Sequence, residues 1–189
     1  MTSTDANPRI YPGLNCSGLE IFNIGNLVKV FTKGKMVDFE DLPYTYHQTI
    51  QGTLNKLPEA QAILEEWHPE SEQQQLKKFA SCRFGGLDFT PDIKNFQLQD
   101  GEYWPCPFRG SCKGEGIVCK NPIYNNIELT TADIKILILL TTNDTNEVIG
   151  EKLNVPMGTL HKLKRILYAK LSIQTKQGAA EVVRDLNLV

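Results

Sequence analysis

The chain has 189 residues, 41% of them hydrophobic, and a formal net charge of −2. That length holds one ordinary domain or two small ones, and that apolar fraction excludes a disordered chain. The charge excludes attraction to polyanions through the global field, so any such attraction has to come from a local patch. No segment reaches the ~20 consecutive apolar residues of a membrane helix. Met1–Arg9 lacks the basic-then-apolar order of a secretory leader, so a cytoplasmic protein with no membrane partner is expected.

In chain order, Met1–Pro12 is polar with two prolines and reads as a frayed arm. Ile21–Phe39 is rich in β-branched and aromatic residues around Gly34, which predicts two short strands joined through the Lys33-Gly34-Lys35 turn. From Tyr44 to Ala80 the pattern turns helical. Leu54, Leu57, Ala60, Ile63, Leu64 and Trp67 recur at helical spacing, with Pro58 at a helix start. His68-Pro69 breaks the run, and a second helix is predicted over Glu70–Ser81.

Ser81–Asn126 is rich in Gly, Pro, Cys and aromatics, with little periodicity, and reads as an irregular module ending in a linker over Asn121–Asn126. Cys106, Cys112 and Cys119 follow Cys82 and are separated by five and six residues. Thiolates in such a loop-built segment fit a tetrahedral zinc site, Cys82, Cys106, Cys112 and Cys119 being the ligands. An iron–sulfur cluster on the same thiolates would instead make the module a redox sensor. Reduced cysteines packing as small apolar residues are the third reading. Cys16 is left as an odd thiol, and His47 or His68 could replace a cysteine ligand. Arg83, Asp88, Asp92, Glu102, Tyr103 and Trp104 lie nearby and read as structural aromatics and capping aspartates. No nucleophile–base pairing, phosphate loop or His-Glu metalloprotease motif is present, so no enzyme is expected.

From Glu128 onward four helices are predicted. Thr130 or Thr131 caps the first, with Asp133 in its first turn and Ile134, Leu137, Ile138 and Leu140 on its apolar face. Thr145 caps a short helix over Asn146–Leu153, and Asn154-Val155-Pro156 forms a turn with Val155 as its plug. The third helix, Met157–Leu171, has Leu160, Leu163, Leu167 and Leu171 inside and His161, Lys162, Lys164 and Arg165 away from that face. A last helix runs from Thr175 to Leu186. Two short helices around a tight turn, the second one basic, are what places a recognition helix in a DNA major groove.

The order and spacing of Leu129-Thr130, Leu137, Leu139-Leu140, Thr145-Asn146-Glu147, Ile149-Gly150, Leu153-Asn154-Val155, Thr159-Leu160, Lys170–Ile173, Lys176 and Ala179-Ala180 are similar to the LuxR-type helix-turn-helix family. The resemblance covers about a third of the chain. Region-four domains of sigma factors share the first three helices but lack the last one. The family pattern differs here at Pro156, His161, Leu163 and Ile166-Leu167. The resemblance implies DNA contacts from Thr159, His161, Lys162, Lys164, Arg165 and Lys170, with Lys162 and Arg165 at base edges or phosphates and Thr159, Lys164 and Lys170 on phosphates. It also implies a homodimer through the last helix, with Ala179, Ala180, Val183 and Leu186 as the contact face.

The expected architecture is an α+β N-terminal domain (1–122) with an irregular Cys-rich module, followed by an all-α four-helix helix-turn-helix domain (127–189). The expected function is a sequence-specific, dimeric transcription regulator with a metal- or redox-responsive N-terminal domain. An adaptor that uses its helix-turn-helix to assemble with RNA polymerase is the alternative, and an enzyme with a DNA-targeting tail is a third.

Overall fold

Alternating apolar residues after Gly18 build an antiparallel sheet of three strands, β1 (Glu20–Ile24), β2 (Leu27–Thr32) and β3 (Lys35–Asp38), in the order β1-β2-β3. Only two strands were expected over this stretch. The extra turn is Gly25-Asn26, where Gly25 (φ 59°) supplies the left-handed first position of a two-residue hairpin. At the second turn, Lys33 (φ 49°) and Gly34 (φ 76°) are both left-handed, as two-residue hairpins of the other primed kind require. Ile21 faces Val30 and Val30 faces Val37, so these side chains share one face of the sheet.

The computed structural model describes residues 10–14, 17–186 and 188. The arm expected over Met1–Pro12 therefore lies outside the described residues as far as Arg9, and so does Cys16. The chain forms two compact units, Met1–Cys106 with Gly116–Lys120, and Pro107–Glu115 with Asn121–Val189. The mixture of helices with small antiparallel sheets makes the protein α+β. Among the described residues no helix is long and apolar enough to cross a membrane.

In the first unit, a short 3-10 turn (Phe39–Asp41) leads into α1 (Tyr44–Leu54), α2 (Pro58–Trp67) and α3 (Glu72–Arg83). Pro58 opens α2, where its missing N–H is not needed. Ser71 caps α3 by accepting from the Gln74 N–H at 3.2 Å. The core joins Ile21, Val28 and Val30 of the sheet to Phe39, Ile50, Leu54, Leu64, Phe79 and Phe84. The end of α3 is stitched to β1, since Asn23 N–H donates to Gly85 O at 3.1 Å and Asn23 Nδ2 to Ser81 O at 3.0 Å. After α3 come the two-residue strands β4 (Ile93–Lys94) and β5 (Gln97–Leu98). Leu19 and Ile93 exchange backbone hydrogen bonds at 3.0 and 3.2 Å, which fixes residues 85–93 beside β1.

In the second unit, the stretch expected as a linker is a hairpin of β6 (Ile123–Tyr124) and β7 (Ile127–Glu128). Asn125 (φ 49°) and Asn126 (φ 63°) form its turn, and asparagine tolerates that conformation better than other residues with a Cβ. The helices are α4 (Thr131–Thr141), α5 (Asn146–Leu153), α6 (Met157–Leu171) and α7 (Lys176–Asp185). Thr130 and Asp133 form a reciprocal capping box on α4, and Thr145 and Thr175 cap α5 and α7. Residues 107–115 join this unit through Glu115, whose carboxylate accepts from Gly110 N–H at 2.5 Å and from the Thr131 hydroxyl. One expectation needs correcting. Ala179 and Val183 were to form a face for a second protomer, but both are buried, as is Val182, because α7 packs against α4.

Candidate nucleic-acid interface and ligand-bearing clusters

The geometry of α5 and α6 follows from their junction. Asn154 (φ 54°) ends α5 in the left-handed conformation, and Val155 N–H donates back to Gly150 O at 2.9 Å. Gly150 is buried, and a Cβ there would lie 3.1 Å from Val155 O, so the turn approaches α5 across a glycine. Pro156 then opens α6.

On α6, Leu160, Leu167 and Leu171 are buried and Leu163 is half-buried. Thr159, His161, Lys162 and Arg165 are exposed, and with Ile166, which is 51% exposed, they form a strip along the outer side of the helix. Lys164 and Lys170 are placed differently. Lys164 Nζ donates to Asn146 Oδ1 at the start of α5 (2.8 Å), and partial burial together with Lys176 lowers its pKa. Lys170 Nζ bonds Asp133 Oδ2 at 2.7 Å and thereby ties α6 to the cap of α4. Burial pushes the Asp133 carboxyl up, but the hydrogen bonds from Lys170 and Thr130 outweigh it and hold the group below its ordinary value. The helix carries Lys162, Lys164, Arg165 and Lys170 and no carboxylate, which makes it locally basic in a chain of net charge −2.

Of the predicted thiol ligands, Cys82, Cys106 and Cys119 belong to the first unit and Cys112 to the second. None is disulfide-bonded, and Cys119 is buried. Beside Cys82 lies Arg83, which is only 6% exposed and has no hydrogen-bond partner on Nε. Burial lowers its pKa, and the nearby Cys119, Asp100 and Cys82 partly offset that. Trp104 Nε1 donates to Cys82 O at 3.1 Å.

Among the described residues, the ligating side chains that the structure gathers are Glu20, Asp88 and Glu102, each offering an oxygen within 4.8 Å of the others. The sequence singled out Asp88, Asp92 and Glu102 as members of a ligand pocket or, for the aspartates, as caps, but not Glu20. Neither aspartate caps a helix: Asp88 Oδ1 accepts from Thr90 N–H at 2.5 Å within its own loop, and Asp92 Oδ2 accepts from Ile21 N–H of β1 at 2.6 Å. Burial pushes the Glu20 carboxyl up to about 8, against the pull of the Asp88 N–H. Burial also pushes Glu102 up to about 9, helped by Asp88 and Glu20, and raises Asp92 well above the carboxylate range. Comparisons of the chain with protein families, with curated proteins and with solved structures found no match.

Proposed function

We propose that α4–α7 form a LuxR-type helix-turn-helix domain that binds double-stranded DNA sequence-specifically, and that the protein regulates transcription. The observation that carries this reading is the outer strip of α6, where Thr159, His161, Lys162, Arg165 and Ile166 are exposed on a carboxylate-free helix with a buried leucine face. In this reading α6 enters the major groove. Lys162 and Arg165 meet base edges or phosphates, and Thr159 meets a phosphate. Lys164 and Lys170 are positioning residues that brace α6 on Asn146 and Asp133. Two protomers read two half-sites about one helical turn apart, and RNA polymerase is the expected downstream partner. The pairing surface is drawn from the exposed side of α7, which carries Gln177, Glu181 and Arg184.

Selection of bound sequences from random DNA, with and without reductant, tests this directly. The double variant Lys162→Ala/Arg165→Ala is expected to lose the selected preference while keeping its fold. Unchanged binding to every selected sequence by that variant would remove α6 from the recognition role.

One observation favours a responsive first unit. Cys82 and Cys119 lie near the buried Arg83 guanidinium, and the thiolate is the form of cysteine that binds metal or is oxidised. Zinc is the expected ligand of the thiols in this unit, with an iron–sulfur cluster as the alternative; Cys112, predicted with them, belongs to the other unit. Elemental analysis and an absorption spectrum of protein purified without oxygen separate the two. A colourless, metal-free protein removes this part of the reading.

A further inference from the structure

We propose that Glu20, Asp88 and Glu102 form a binding site for a hard divalent cation in the first unit. Three observations converge on it. The three side chains each present an oxygen within 4.8 Å of the other two. Donors that are all carboxylate oxygens select the hard cations over thiol-seeking metals.

The second observation is an unpartnered acceptor at the floor of the cluster. Glu20 is 0% exposed, and its Oε1 accepts from Asp88 N–H at 2.8 Å. Its Oε2 is buried and has no hydrogen-bond partner, and Glu102 Oε1 is in the same condition. A buried polar atom without a partner is costly, and a cation is the kind of ligand that would satisfy such an acceptor on the fully buried Glu20. The third observation is charge. Among the described residues no Lys, Arg or His pairs with Glu20, Asp88, Asp92 or Glu102. Asp92, 4% exposed, holds Ile21 N–H next to Glu20 and so fixes the floor of the site without itself being a ligand.

The fold assembles this cluster from three separated segments. Glu20 comes from β1, Asp88 from the loop after α3, and Glu102 from the loop after β5. A Cβ on Gly86 would lie 2.4 Å from Glu102 Oε1 and 3.3 Å from Trp104 Cβ, so the glycine lets the carboxylate approach the loop. Asp88 and Glu102 are half-buried. The site is independent of the DNA reading, because all of its residues belong to the first unit.

The experiment uses the full chain, stripped with a chelator. Terbium stands in for calcium, and Trp104, the neighbour of Glu102 across Gly86, serves as the sensitiser. Saturable terbium emission on tryptophan excitation, displaced by calcium, is expected, together with a rise in melting temperature in millimolar calcium. Asp88→Asn and Glu102→Gln are each expected to weaken binding at least about tenfold, the effect known for carboxylates even one shell further out. Circular dichroism checks that both variants fold, and the wild-type titration decides by itself if they do not. No saturable emission and no calcium-, manganese- or magnesium-dependent melting shift in the wild type would mean that the carboxyls are held by shared protons alone, which overturns the site. Variants that bind as tightly as wild type overturn it too. Either result leaves the DNA proposal standing.

Discussion

On α6, Lys162 and Lys170 are the same residue type with different partners. Lys162 is exposed, whereas Lys170 lies 2.7 Å from an Asp133 carboxylate that also receives the Thr130 hydrogen bonds. A partly buried pair is worth more than an exposed one, and removing one partner leaves the other's charge uncompensated. Lys170→Ala is therefore expected to destabilise the second unit by about 1 kcal/mol, with affinity of the folded protein for DNA changed less than about twofold. Lys162→Ala is expected to do the reverse, and denaturant titration beside a DNA titration separates the two. Ile166 carries a second residue-scale prediction. An exposed aliphatic side chain in a strip of base-reading residues is suited to the methyl group of thymine. Replacing thymine by uracil across the selected site should weaken wild-type binding by about 1 kcal/mol and leave Ile166→Ala unaffected. An equal loss in both proteins would place Ile166 off the bases. At this scale the sequence was legible where a role depends on local pattern, as for the exposed side of α6. It was silent on Glu20, which stands in the apolar run Leu19–Phe22 and meets Asp88 only through a contact 68 residues apart.

At the scale of elements, the start of α4 shows how a cap becomes pH-dependent. Thr130 accepts from Asp133 N–H at 3.2 Å and Asp133 Oδ2 accepts from Thr130 N–H at 2.9 Å, so the box is strongest with an ionised carboxylate. The Asp133 pKa is lowered in the folded state. The unfolded chain therefore binds more protons through the window between the two values, and stability rises with pH there. The stabilisation is fully present above the unfolded value and is lost as pH falls through the lowered one. Asp133→Asn is expected to cost about 1 kcal/mol at neutral pH and to flatten the acid limb of the second unit's stability curve, read by denaturant midpoints between neutral pH and pH about 3. A wild-type limb with the same slope as the variant's would assign the acid sensitivity to other carboxylates. The caps at Thr130, Thr145 and Thr175 were readable because each bonds within its own first turn. Hairpins were harder. Gly25-Asn26 and Asn125-Asn126 carry the turn chemistry, but flanking strands of two to six residues leave too little alternation to separate a hairpin from a linker.

At the scale of the whole molecule, charge sets how the proposed DNA contact can form. A chain of net charge −2 has no long-range pull toward DNA, so attraction rests on the few cations displayed on one helix. Of the four cations on α6, Lys164 and Lys170 are tied to Asn146 and Asp133, and the exposed side of α5 adds Glu147 and Glu151. With Lys152 of α5 paired to Asp144 at 2.6 Å, Lys162 and Arg165 are left as the groups on these two helices that can displace counterions. Each phosphate neutralised contributes close to −0.9 to the slope of log affinity against log salt, which gives about −2 for one protomer and about −4 for a pair. Lys162→Ala should make the single-protomer slope shallower by about 1 if that side chain sits on phosphate, and should leave it unchanged while relaxing base preference if it sits on a base edge. The measurement is a DNA titration over a series of salt concentrations, repeated across the range in which sedimentation shows monomer or dimer. A slope doubling with dimerisation would tie the two half-sites to two copies of α6. A slope near −10 at any protein concentration would mean that many cations beyond α6 touch the backbone, and the reading of a sparse, base-directed contact would fall.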